Sequence, residues 1–275
     1  MDLYTQTSYD VSRLITQRYS TSFGLSIRLF EASLRPHIYA IYGLVRIADE
    51  IVDTYAGPDR LAILDSFQAQ TMEALATGYS TNPVVHAFVQ TATQFAIDDT
   101  LIAPFFDSMR MDITPQLFDQ QLYDRYIYGS AEVVGLMCLK VFTGDENLYR
   151  RLEKGASKLG AAYQKVNFLR DIAADAGDLD RWYFPLSSFK DFDEKTKAII
   201  VRDIEKDLVA ANRAITKLPD SSRKAVRLSY LYYSRLLAKI KQTPAIQLQQ
   251  ERIRVSTPEK SALLVRTILT RSSRV

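Results

Sequence analysis

"YQKVNFLRDIAADAGD", residues 163–178, keeps apolar residues at helical intervals yet also carries Gln164, Asn167, Arg170, Asp171 and Asp175. At about 100° of rotation per residue, Gln164, Asn167, Asp171 and Asp175 fall within a sector of about 80°. A second stripe lies upstream in "IYGLVRIADEIVDTY", residues 41–55. There Tyr42, Arg46, Asp49 and Asp53 fall within about 60°. Each stripe ends in two carboxylates at i and i+4, neighbours on one helix face that repel each other. Burial would make this worse, because desolvation disfavours the charged carboxylate. The arrangement is tolerable on a wet face, or where a hard divalent cation compensates. Mg²⁺ takes oxygen ligands, keeps several waters, and is usually held by one or two carboxylates plus substrate phosphates. One D-x-x-x-D on a helix is commonplace. Two of them, each with an arginine nearby (Arg46, Arg170), point to a metal-bridged polyanion, because arginine presents fixed donors to phosphate oxygens.

The surrounding chain reads as helix. Glycine and proline are few and fall at breaks: "YAGPDR", "ATGYSTNP", "FTGDE" and "ITKLPDSS". Between them apolar residues recur every three or four positions, as in "AVRLSYLYYSRLLAKI". No alternating strand pattern or hairpin signal appears. The expectation is an all-α chain of roughly eight to eleven helices, a single domain over residues 1–275. Residues 175–185, "DAGDLDRWYFP", break the rhythm and read as a loop.

Composition narrows the class. With 275 residues, 47% hydrophobic and 24% charged, the chain has the balance of a globular protein able to bury a large core. A net charge of +3 gives no nucleic-acid signature. No apolar run is long enough to span a bilayer. The N-terminal stretch lacks a signal-peptide plan, so the cytoplasm is the expected compartment. Cys138 is the single cysteine and sits in an apolar run, a small buried hydrophobe rather than a ligand. With only His37 and His86, a histidine metal site or a Ser-His-Asp triad is a poor fit. Residues 251–275 hold six basic and two acidic residues, a solvated tail or a contact with an anionic membrane surface.

The two stripes, with their flanks, resemble the aspartate-rich motifs of the squalene/phytoene synthase family. "YAIYGLVRIADEIVD" is similar to the first. "YQKVNFLRDIAADAGDLDRWYFP" is similar to the second, Q-x-x-N-x-x-R-D-x-x-x-D followed by R-x-Y-x-P. "YSTSF" (residues 19–23) resembles the family's Ser-x-Ser-Phe element, and "YIYGSAEVVGLMCLKVFTG" (residues 126–144) its small-residue helix. The blocks follow the family's order and span nearly the whole chain. The last of them is most similar to bacterial phytoene synthases.

The resemblance implies an isoprenoid synthase fold, a helical bundle around a central cavity. It also implies a prenyltransferase that joins two prenyl diphosphates head to head with Mg²⁺, or Mn²⁺. By position, Asp49, Asp53, Asp171, Asp175 and Asn167 correspond to the metal-associated residues. Ser20, Ser22, Arg46, Gln164, Arg170 and Tyr233 correspond to positions near the diphosphates. Tyr230 and Tyr232 compete with Tyr233 for that register. Arg254 is a further phosphate contact in this reading, with Arg252 as plausible. Tyr42, Tyr126 and Phe23 match cavity positions, and Gly129, Ala131 and Gly135 leave room for an isoprenoid tail. The expected reaction joins two C20 geranylgeranyl diphosphates into phytoene through a cyclopropylcarbinyl diphosphate, without NADPH. The alternatives are the same chemistry on C15 farnesyl diphosphate, giving dehydrosqualene or squalene, and a non-catalytic relative that binds or assembles. Peripheral membrane contact is expected from lipid substrates. Glu132 stands where the family often has glycine and reads as a helix-surface residue. The loop before Arg181 is one residue longer than the common form, which leaves Arg181 without an assigned role. Lys165 and Asp178 read as solvent-facing charges.

Overall fold

Helix punctuation follows the breaks read from the sequence. The computed structural model describes residues 1–114, 118–178, 181–185 and 188–269, without the side chains of residues 21–22 and 175–178. The elements run α1 (Leu3–Tyr19), α2 (Thr21–Ile27), α3 (Arg35–Asp49), α4 (Arg60–Thr77), α5 (Pro83–Gln94), α6 (Asp99–Ile113), α7 (Gln120–Ile127), α8 (Val133–Thr143), α9 (Glu146–Asp178), α10 (Glu194–Ile215), α11 (Asp220–Gln242), α12 (Ala245–Leu248) and α13 (Thr257–Leu269). A π-helical turn, Glu50–Thr54, continues α3, and another, Tyr128–Glu132, joins α7 to α8. Among the described residues there is no strand, in line with the all-α expectation. The helices outnumber the expectation because α2 and α12, at 7 and 4 residues, are too short to show a period. Gly78 and Gly144 end α4 and α8 with φ of 77° and 56°, left-handed caps that glycine adopts without strain. Asn82 caps α5 and Pro83 opens it.

α9 departs from the expected loop start. It continues through Asp178, carried by the strong helix formers Ala173, Ala174 and Ala176. Its 33 residues make a rod of about 50 Å, packed against α8, α10 and α11. One apolar cluster gathers around Phe88, Ile102, Phe105 and Phe106, and a second around Val166, Leu169, Ile204 and Leu236. Leu159 and Tyr230 pack against both.

Lys165 corrects the reading that made it a surface charge. It is buried between α9 and α10, with Nζ 2.8 Å from Asp207 Oδ2 and also paired with Asp203. Lys158 meets the other oxygen of Asp207 at 3.2 Å. A rotation angle shows which way a side chain leaves the helix, not whether a second helix brings it a counter-ion. Charges are tolerated on such a face because they are paired.

Candidate active site

A cavity enclosing about 1090 Å³, its open mouth included, lies between α2, α3, α8, α9, α10 and α11. Its wall is almost wholly apolar. Phe23, Ala131 and Gly135 line it, as do Phe30 and Phe142, whose rings stack at 5.0 Å. Cys138 also lines it, and burial pushes its thiol up to about 12. Gly129 is a correction: it is not part of this wall. A Cβ there would stand 2.2 Å from the Pro104 carbonyl oxygen, so the missing side chain lets α6 cross closely over the π turn. Glu132 is a second correction. It is half-buried and accepts a hydrogen bond from Ser157 on α9, because the π turn faces that helix.

The two polar stripes lead away from this cavity. Val45 of α3 and Gln164 of α9 are both in its wall. Arg46 and Asp49 follow one and four residues after Val45, and Asn167 and Asp171 three and seven after Gln164. Tyr42 stacks on Phe23 at 5.3 Å, and burial, then the neighbouring charges of Arg46 and Asp49, act on its phenol, which ends raised. Ser20 caps α2 by accepting from Phe23 N at 3.2 Å. The side chains of Ser22 and Asp175 lie outside the described residues.

On the first stripe, Arg46 pairs with Glu50 and reaches Asp49 at 3.8 Å, its guanidinium 4.4 Å from the Tyr19 ring centre. Its Nε is buried with no partner. The π turn rotates the chain less per residue than an α-helix, so Asp53 falls behind the position a regular helix would give it. The sequence pattern carried no sign of that turn. Asp49 sits in a recess, its side chain still 31% exposed. Desolvation, then the charge of Asp53, pushes its carboxyl up to about 7, against the pull of Arg46.

On the second stripe, Tyr233 donates to Asn167 Oδ1 at 3.3 Å and stacks on Tyr163 at 3.8 Å. Tyr232 instead lies edge-on to Tyr233, with Lys260 Nζ 5.7 Å from its ring centre. Arg170 Nε donates to Asp171 Oδ1 at 2.9 Å, and Arg252 Nε reaches the same oxygen at 2.7 Å. Arg254 is exposed, and its carbonyl accepts from Lys239 Nζ at 3.0 Å. Of the two candidate arginines, the geometry brings Arg252 to the motif.

Two further residues belong here. Arg181 Nη1 lies 2.7 Å from Asp53 Oδ1, and its Nη2 donates to the carbonyl of Asp112 at 2.8 Å. Asp112 accepts from Tyr126 at 2.6 Å and from Tyr183 at 2.9 Å. Burial pushes the Asp112 carboxyl up to about 6, against Arg181 and the two hydroxyls. Burial, then the charge of Asp112, pushes the Tyr126 phenol far up. No local pattern singles out Asp112; it ends an ordinary apolar stretch, "FFDSMRMDI".

The donor set fits a hard cation. It consists of carboxylates and an amide oxygen, and the orphaned Arg46 Nε is a donor awaiting an anion. Among the described residues no three His, Cys, Asp or Glu form a closed metal cage.

Residues 16–259 match the family model for squalene/phytoene synthase. A phytoene synthase of Arthrospira platensis is 35% identical over 197 residues, covering 65% of this chain and 61% of that protein. A 15-cis-phytoene synthase of Synechococcus elongatus is 28% identical over 263 residues, covering 86% of this chain and 84% of that one. A crystal structure of a dehydrosqualene synthase superposes with a TM-score of 0.82 at 20% identity, covering 96% of each chain, which establishes the likeness of fold.

Proposed function

The chain belongs to the squalene/phytoene synthase family, whose members are prenyltransferases, and from that premise we propose that it condenses two geranylgeranyl diphosphates head to head into phytoene. One observation carries the reading. Two acidic helix faces, each with its own arginine, start from the wall of one apolar cavity, at Val45 and Gln164. A polar mouth for diphosphates thus adjoins a chamber for isoprenoid tails. In this reading residues 1–275 act as one domain.

Asp49, Asp53, Asn167, Asp171 and Asp175 would hold Mg²⁺. When bound, the cation supplies charge stabilisation to a departing diphosphate. The chain's own residues do the rest. Arg46, Arg170 and Arg252 bind phosphate oxygens and stabilise the negative charge that builds as the C1–O bond of the first substrate breaks. The stacked Phe23–Tyr42 pair presents π-faces to the allylic cation. The apolar wall excludes water and holds the second double bond within reach of C1. C1 bonds to that double bond, and loss of a proton from the resulting cation closes the ring of a cyclopropylcarbinyl diphosphate. Loss of its diphosphate, rearrangement and release of a proton give the C40 hydrocarbon.

No helix of the described residues is long and apolar enough to cross a membrane. Lipid substrates and product instead favour a cytoplasmic protein in peripheral contact with a bilayer. The exposed Val265, Ile268 and Leu269 of α13 are the residues we assign to that contact.

The test is incubation of the pure protein with Mg²⁺ and C20 or C15 diphosphate, with and without NADPH, followed by hydrocarbon analysis. Phytoene from the C20 substrate without NADPH is expected. A C30 product alone would replace this reading with the farnesyl one, and no condensation from either substrate would overturn the enzyme reading.

A further inference from the structure

Asp112 stands on neither acidic stripe, yet both of its carboxylate oxygens are engaged, by Tyr126 from α7 and Tyr183 from residues 181–185. The two tyrosines are 3% and 6% exposed, and their rings lie 5.0 Å apart. Tyr183 also stacks flat on Phe168 of α9 at 4.1 Å. Two hydroxyls therefore hold the half-buried Asp112 carboxylate in place. It is fixed at the junction of α6, α7, α9 and the segment after α9.

Arg181 leaves that same segment and is gripped at both ends, by the Asp112 carbonyl at 2.8 Å and by Asp53 Oδ1 at 2.7 Å. Its side chain is only 10% exposed. Arginine does not lose its charge at any ordinary pH. A permanent cation thus occupies a carboxylate that the proposed function requires for a divalent ion. Without such an ion, Asp49, Asp53 and Asp112 repel one another, and Arg181 offsets that repulsion. With one, Arg181 must yield Asp53 while remaining in a nearly buried position that demands a counter-charge. Arg181 keeps the main-chain carbonyl of Asp112, and the Asp112 carboxylate, held by the two tyrosines, acts on it through space as the remaining negative charge.

We infer that Asp112 is a positioning residue that tethers Arg181 as the internal counter-ion of the first acidic pair and retains it when a divalent cation takes Asp53. Asp112 acts through Arg181, away from the reacting atoms. The inference rests on the cation–diphosphate reading of the site.

The test is a calorimetric titration of the full chain with Mn²⁺ in the presence of inorganic diphosphate, which needs no prenyl turnover. Asp112→Asn keeps the size of the side chain and removes its charge, so Arg181 settles on Asp53. Mn²⁺–diphosphate affinity is expected to fall about 10-fold or more, the scale typical of residues that orient metal ligands. In an Arg181→Gln background the same substitution should change affinity by less than about twofold, because its intermediary is gone. A purely structural Asp112 would lower the melting temperature alike in both backgrounds and leave affinity alone. Arg181→Gln by itself keeps the inference testable should Asp112→Asn fail to fold. It removes the competing charge and should tighten Mn²⁺ binding measured without diphosphate; unchanged or weaker binding would overturn the counter-ion role. Wild-type affinity in Asp112→Asn, or an equal loss in both backgrounds, would overturn the role of Asp112 alone. Failure of the wild-type chain to bind Mn²⁺ with diphosphate would remove the cation–diphosphate reading, and this inference with it.

Discussion

Arg252 Nε lies 2.7 Å from Asp171 Oδ1, joining the stretch after α12 to the C-terminal part of α9. The same oxygen already receives Arg170 Nε at 2.9 Å. Asp171 thus gathers two guanidinium groups at one oxygen. Charge-assisted hydrogen bonds of this kind contribute about 1.5–3 kcal/mol each. Arg252→Gln is therefore expected to raise the KM for prenyl diphosphate about 10- to 100-fold. Arg254→Gln, at a residue whose contact with Lys239 runs through its main-chain carbonyl, should leave KM within about twofold. Steady-state kinetics of the two variants decide the matter, and the opposite order would restore Arg254 to the site.

Asp49→Asn and Asp171→Asn test the paired stripes themselves. Each change keeps the side-chain volume and removes a ligand charge. Condensation should fall by at least about a hundredfold, while helical circular dichroism stays that of the wild type. Near-normal turnover in either variant would contradict the cation assignment.

Protonation gives a third handle. The carboxyls of Asp49 and Asp112 are pushed up to about 7 and about 6 from an ordinary 3.8. Through that window the folded chain holds protons that the unfolded chain has already released. The stability these two carboxyls contribute therefore falls as pH rises from about 4 to about 7, the reverse of a salt-bridged carboxylate. Without divalent ions, the difference in melting temperature between Asp49→Asn and the wild type should grow in favour of the variant from about pH 5 to about pH 8. Mg²⁺ should shrink that difference, because a cation favours the ionised carboxylate. A difference independent of pH would remove Asp49 as the titrating group.

What the sequence made legible was what one helix can show by itself. The stripes of Tyr42, Arg46, Asp49 and Asp53, and of Gln164, Asn167 and Asp171, follow from rotation about a single axis, as do the glycine-marked helix ends. Contacts between distant elements left no such trace. Arg181 and Asp53 are 128 residues apart, and Tyr183 and Asp112 are 71 apart. Nothing in the periodicity joins them. Lys165 looked solvent-facing because its partners, Asp203 and Asp207, come from another helix. Gly129 and Gly135 looked alike in a run of small residues, yet the first is filled by a crossing helix and the second opens on the cavity. The π turn after Asp49 was hidden too, since "EIVDT" is compatible with an ordinary helix.

That contrast between two glycines leads to a prediction about substrate length. Cys138 stands in the cavity wall, one turn before Phe142, whose ring stacks on Phe30. Cys138→Phe would place a ring where tail volume is needed. The longer tail should suffer more, since each methylene that loses its place in an apolar pocket costs about 1–3 kcal/mol. Turnover of the C20 diphosphate, as kcat/KM, should fall at least about 10-fold relative to the C15 diphosphate. Gly129→Ala serves as the control. Its methyl would meet the Pro104 carbonyl oxygen at 2.2 Å, an overpacking that costs about 1–3 kcal/mol of stability without altering the chamber. It should lower the melting temperature and leave the C20 to C15 ratio unchanged. Should Cys138→Phe lower both substrates equally, or Gly129→Ala shift the ratio, the chamber that holds the tail lies elsewhere than beside Cys138.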